Sequence, residues 1–114
     1  MINAIAIDDE APALKVIGNF CDRTDGIRLA ETFLRPRDAL NYLAQSPVDL
    51  LFLDIRMPSQ SGLDLYKTLD PGPLAIFTTA HAEYAVEGFN LNAIDFLLKP
   101  FTIERWQSSM SPEP

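Results

Sequence analysis

A chain of 114 residues with 47% hydrophobic content suits one globular domain that buries a core without disulfides or a structural metal. A net charge of −7 disfavours nucleic-acid binding by this segment, since affinity for phosphate backbones rests mainly on Lys and Arg. A single cysteine, Cys21, no leader-like apolar stretch, and apolar runs no longer than segments such as Leu50 to Leu53 point to a reducing cytoplasm and to no membrane span.

Asn3 to Ile7 reads as a short buried strand that ends abruptly in Asp8-Asp9-Glu10. Pro12 falls where a first-turn proline is tolerated, and Leu14, Ile17 and Cys21 recur at helical spacing, with Val16 and Phe20 beside them, over residues 11–22. Thr24-Asp25-Gly26 is a turn, and Ile27 to Leu34 is strand-like, with Arg28 and Glu31 marking an exposed edge. Pro36 opens a second helix whose inner stripe is Ala39, Leu40, Leu43 and Ala44, stopped by Gln45-Ser46-Pro47. Val48-Asp49-Leu50-Leu51-Phe52-Leu53-Asp54 has no hydrophilic face, as a strand buried on both sides of a parallel sheet requires, and it ends on a carboxylate. Residues 57–62 form a loop, and Leu65, Tyr66 and Leu69 mark a third helix ended by Asp70-Pro71-Gly72-Pro73. Leu74 to Thr78 is a fourth strand, Tyr84, Ala85 and Phe89 suggest a short fourth helix, and Ala93 to Leu98 is a fifth strand. The last helix runs from Thr102, a cap, to about Ser109.

Strands that alternate with helices in this way describe a doubly wound α/β domain, because parallel strands need crossovers. Residues 1–110 make up that domain, and Ser111-Pro112-Glu113-Pro114 reads as the start of a linker. In such a fold the ends of strands one, three, four and five converge, which gathers Asp8-Asp9, Asp54, Thr78-Thr79 and Lys99. Carboxylates packed together need a cation to stay ionised, and oxygen donors without His or Cys at metal spacing point to Mg²⁺. A cation, an ammonium and a hydroxyl beside a carboxylate suit phosphoryl chemistry.

The set Asp8-Asp9, Asp54-Ile55-Arg56-Met57-Pro58, Thr79-Ala80 and Lys99-Pro100-Phe101 resembles the receiver domain of two-component response regulators, from Asn3 to about Ser109. The run Glu83-Tyr84-Ala85-Val86-Glu87-Gly88-Phe89, followed by Asn92 to Phe101, looks like the LytR/AlgR subgroup, whose receivers precede a LytTR-type DNA-binding domain. The resemblance implies a flavodoxin-like five-stranded parallel sheet in the order 2-1-3-4-5 with about five helices. It implies Asp54 as phosphoacceptor and Mg²⁺ held by Asp9 directly, Asp8 through water, Asp54 and the backbone carbonyl of Arg56. Thr79 would bind the transferred phosphoryl, Lys99 would pair with it, Phe96 would be the aromatic switch, and the Lys99-Pro100 peptide would be cis. The implied partners are a sensor histidine kinase and a second copy of the chain, the latter through the fourth helix, fifth strand and last helix, roughly Glu83 to Trp106. DNA would be reached only through an output domain outside this chain, and the only catalysis implied is of the domain's own phosphorylation and dephosphorylation.

Each residue also has a plainer role. Asp8 and Asp9 suit a helix cap and first turn, Thr79 a strand, Lys99 a solvated surface, and Phe96 or Cys21 a core. His81 is a lone loop histidine, which seldom carries phosphate. Two other functions share parts of the pattern. A Mg²⁺-dependent phosphatase of the haloacid-dehalogenase type also uses an Asp after a strand, but its Asp-x-Asp pairing is missing, since Arg56 lies two residues past Asp54. A degenerate receiver acting only as a protein-interaction module would not need the complete acidic set.

Overall fold

A strand that is apolar on both faces has to be covered on both, and the chain achieves this by winding helices to either side of one sheet. The computed structural model describes residues 1–58, 60–69, 72–81 and 93–110. In chain order these form β1 (Ile2–Ile7), α1 (Ala11–Asp22), β2 (Ile27–Phe33), α2 (Pro36–Leu43), β3 (Leu50–Asp54), α3 (Gly62–Lys67), β4 (Leu74–Thr79), β5 (Ala93–Leu98) and α4 (Ile103–Met110). The strands pair in parallel in the order β2-β1-β3-β4-β5, the expected doubly wound topology. The helix expected at residues 84–89 lies outside the described residues.

Alternation along the strands sorts the core into two layers. Ile5, Ile7, Leu51, Leu53 and Phe77 pack with Ala39 of α2 and Leu63, Leu65 and Tyr66 of α3. Ala4, Ala6, Leu50, Phe52 and Ile76 pack on the other side with Leu14, Ile17 and Cys21 of α1 and Trp106 of α4. Trp106 is fully buried and stacks on Phe52 with ring centroids 4.7 Å apart, while its indole N–H donates to Thr24 Oγ1 at 2.9 Å. That bond satisfies the one polar atom a buried Trp carries.

Three boundaries differ from the sequence reading. Ala44 is exposed, because α2 ends at Leu43 and Ala44 is only its C-cap; Tyr42 packs against Phe33 instead, at 5.5 Å. Strand β3 begins at Leu50, since the Asp49 carboxylate accepts the Asn3 N–H at 2.8 Å and ties the approach to β1. Helix α3 starts at Gly62, where the Ser61 hydroxyl accepts the Leu63 N–H at 3.2 Å as an N-cap. Thr102 does cap the last helix, its hydroxyl accepting the Arg105 N–H at 3.1 Å.

Candidate functional site: an acidic pocket at the ends of the strands

The carboxyl ends of β1, β3, β4 and β5 meet at one end of the sheet, where open α/β folds bind ligands. Asp8 follows β1 and is fully buried. One of its carboxylate oxygens accepts the Glu10 N–H at 3.0 Å, and the other receives Lys99 Nζ at 2.8 Å. Asp54, the last residue of β3, is 4% exposed, and its Oδ1 lies 3.5 Å from the same ammonium. Lys99 is aimed from the end of β5, where its N–H donates to the Thr79 carbonyl at 2.6 Å and the Lys99-Pro100 peptide is cis.

Thr79 is buried at the end of β4, and its hydroxyl accepts the His81 N–H at 3.0 Å. His81 Nε2 lies 3.0 Å from Arg56 Nη1. A guanidinium has no acceptor, so in this contact Arg56 is the donor. Arg56, two residues past β3, and His81, two residues past β4, thus meet through their side chains. Asp9 is exposed and lines a cleft of about 380 Å³ with Ile55, Arg56, Met57, Pro58 and Ser61. Phe96 is not in the pocket. It is half-buried and stacks on Phe77 at 5.2 Å.

Two residues escaped the sequence reading. Glu10 places a carboxylate oxygen within 4.8 Å of those of Asp8 and Asp9, and its adjacency to the acid pair was the available signal. Gly62 donates its N–H to the Ile55 carbonyl at 2.7 Å, and a Cβ there would stand 2.1 Å from the Asp54 carbonyl oxygen. Only glycine lets the first turn of α3 lie against the end of β3.

The electrostatics are lopsided. Burial first, then the charge of Asp8, push the Asp54 carboxyl up to about 7, with Lys99 pulling the other way and Asp9 adding to the rise. Burial alone would lower the Lys99 ammonium, but its hydrogen bond to Asp8 and the charges of Asp54 and Asp8 outweigh it and raise it. One ammonium thus faces two buried carboxylates, with Asp9 and Glu10 at the rim. The all-oxygen donor set and this excess of negative charge fit a hard divalent cation of the Mg²⁺ type, with Asp8, Asp9 and Glu10 clustered closely enough to share it. Chemically the pocket offers a carboxylate nucleophile beside a fixed cation and a hydroxyl.

Residues 4–110 match the family model of the response regulator receiver domain, and the chain belongs to that family. It is 39% identical over 110 residues to the sensory transduction protein LytR of Staphylococcus epidermidis, covering 91% of this chain and 42% of that protein. It is 32% identical over 108 residues to the sensory transduction protein LytT of Bacillus cereus, covering 92% and 44%. The chain therefore spans less than half the length of these relatives. Among solved structures, the response regulatory domain of protein mrkE from Klebsiella pneumoniae superposes with a TM-score of 0.88 at 30% identity, over 96% of this chain and 92% of that one. The resemblance drawn from the strand-end motifs is borne out, and it extends to relatives named LytR and LytT. No described helix is long and apolar enough to cross a membrane.

Proposed function

We propose that this receiver domain takes a phosphoryl group from the phosphohistidine of a sensor histidine kinase onto Asp54, with Mg²⁺, and that the modified domain controls an output. The observation that carries the reading is Asp54 itself, a buried carboxylate at the end of the central strand whose Oδ1 lies 3.5 Å from Lys99. An Asp54 oxygen attacks the phosphorus as the phosphorus–nitrogen bond breaks, and the electron pair leaves on the imidazole nitrogen of the donor. Lys99 neutralises the oxygens of the group in transfer, and Thr79 donates its hydroxyl to one of them. Asp8, Asp9, Asp54 and the Arg56 carbonyl would hold a Mg²⁺ ion, which when bound would supply positive charge to offset that on the phosphoryl oxygens. The output in this reading is transcription, through a LytTR-type DNA-binding domain outside this chain; what supports a further domain is that the sensory transduction proteins LytR and LytT are more than twice as long as this chain.

Incubation with acetyl phosphate and Mg²⁺, followed by mass mapping of the modified carboxylate, tests the reading. The parent gains one phosphoryl group on Asp54, and Asp54→Asn, which keeps shape but lacks the nucleophilic charge, gains none. Incorporation into Asp54→Asn at the parental level sinks the assignment.

A further inference from the structure

Among the described residues, strand β5 lies at one edge of the sheet and pairs only with β4. Its Lys99 N–H points inward to Thr79, so by alternation the main-chain groups of Leu97 also face β4 and those of Phe96 face outward. An outward N–H and C=O on an edge strand are ordinarily left to water or to a second strand. Here both are taken. The Phe96 N–H donates to Asp95 Oδ1 at 2.7 Å, and the Phe96 carbonyl accepts from Arg105 Nη2 at 3.0 Å. Arg105 in turn grips Asp95 with both arms, Nη2 to Oδ1 at 2.7 Å and Nη1 to Oδ2 at 2.8 Å. Ser109, one helical turn further on, donates to Asp95 Oδ2 at 2.5 Å and accepts from Arg105 Nη1 at 3.1 Å. A planar guanidinium is the side chain able to make this many directed bonds at once.

We propose that Asp95, Arg105 and Ser109 form a latch between α4 and the open edge of β5, whose purpose is to position Phe96 by holding both of its main-chain polar groups. The Phe96 ring stacks on Phe77, two residues before Thr79 on β4. The latch thereby sets the packing that any change at the strand ends has to work against. This second half rests on the phosphoacceptor reading: the conformer held without a phosphoryl group is the latched one, and releasing the latch favours the conformer that a phosphoryl group selects.

Amide exchange, read residue by residue by NMR without any phosphoryl analogue, tests the positioning. Asp95→Ala speeds exchange at Phe96 by about tenfold or more and leaves Leu97, whose amide faces β4, close to the parent. Asp95→Asn, which keeps an acceptor for the Phe96 amide, restores most of that protection. A Phe96 amide unchanged in Asp95→Ala, or a rise shared equally by Leu97, overturns the latch. Titration with beryllofluoride and Mg²⁺ tests the coupling, and Arg105→Ala binds about threefold tighter than the parent, or tighter still. Equal affinities overturn the coupling alone, whereas a parent that binds no beryllofluoride overturns the phosphoacceptor reading and the coupling with it.

Discussion

Asp8 and Asp9 are neighbours in the chain with opposite surroundings. Asp8 is fully buried and paired with Lys99 at 2.8 Å, while Asp9 stands in the open cleft. Asp8→Ala leaves a part-buried ammonium with Asp54 alone and costs about 2 kcal/mol of stability, read by urea denaturation. Asp9→Ala leaves the denaturation midpoint within error of the parent yet weakens Mg²⁺ binding by about tenfold or more in a titration. A loss of stability in Asp9→Ala equal to that of Asp8→Ala contradicts the division of labour. A second residue-scale expectation concerns the Arg56–His81 pair, which stands two residues beyond Asp54 and Thr79 and is expected to control access of the attacking water. Replacing both by alanine speeds loss of phosphate from Asp54 by about tenfold, a drop of about 1.4 kcal/mol in the barrier, without preventing phosphorylation. An unchanged decay rate removes the pair from the mechanism. The acids and the lysine were legible because each ends an apolar run. The Arg56–His81 bond was not, since nothing in the sequence fixes which way two loop side chains turn.

Among the elements, α3 was expected from its pattern but its start was not fixed by it, and the reason is a backbone contact rather than a periodicity. Gly62 lets the helix begin against the end of β3, so the start is set by close approach to the Asp54 carbonyl and not by the apolar spacing of Leu65 and Leu69. Gly62→Ala forces that contact apart and destabilises by about 2 kcal/mol or more, with a matching fall in phosphorylation rate because Asp54 moves with its backbone. An alanine variant as stable as the parent refutes the contact. Strands were easier: β4 and β5 could be drawn from their apolar runs alone, and the Thr102 cap from its place before the last periodic segment. The Asp95–Arg105 link between β5 and α4 also fixes a pH dependence. Burial alone would raise the Asp95 carboxyl, but hydrogen bonds from Arg105, Ser109 and the Phe96 amide, with the Arg105 charge, hold it below the usual carboxylate range. A carboxyl lowered by folding contributes stability that is fully present above its unfolded value of about 3.9 and is lost as pH falls through the folded one. The difference in Tm between parent and Arg105→Ala is therefore constant from about pH 5 to 8 and shrinks below about pH 4. A difference that persists undiminished at the acid end excludes the ion pair as its source.

At the scale of the molecule the sheet separates two populations of side chain. By alternation Asp8, Asp54, Thr78 and Lys99 belong with the α1 and α4 layer, whereas Thr79 follows Phe77 and, with Phe96, belongs with the α2 and α3 layer. The expected communication from Asp54 to the surface has to cross from one layer to the other at Thr79. Thr79→Ala should accept a phosphoryl group like the parent, yet in sedimentation it should dimerise no better with beryllofluoride than without it. A variant that assembles as well as the parent, or a parent that stays monomeric, removes Thr79 from the crossing. The face on which such a dimer would form was drawn from Glu83 to Trp106, and much of it falls outside the described residues. The hydroxyl of Thr78 meanwhile is buried and has no hydrogen-bond partner. Two adjacent threonines thus look into different halves of the protein. The partition bears on how such chains can diversify after duplication. Substitutions confined to α1 and α4 alter the surroundings of the acids and Lys99, and those confined to α2 and α3 alter the surroundings of Thr79 and Phe96. A lineage can therefore revise the rate of its chemistry while inheriting its response unchanged, or the reverse, so long as the strands shared by both halves are left alone.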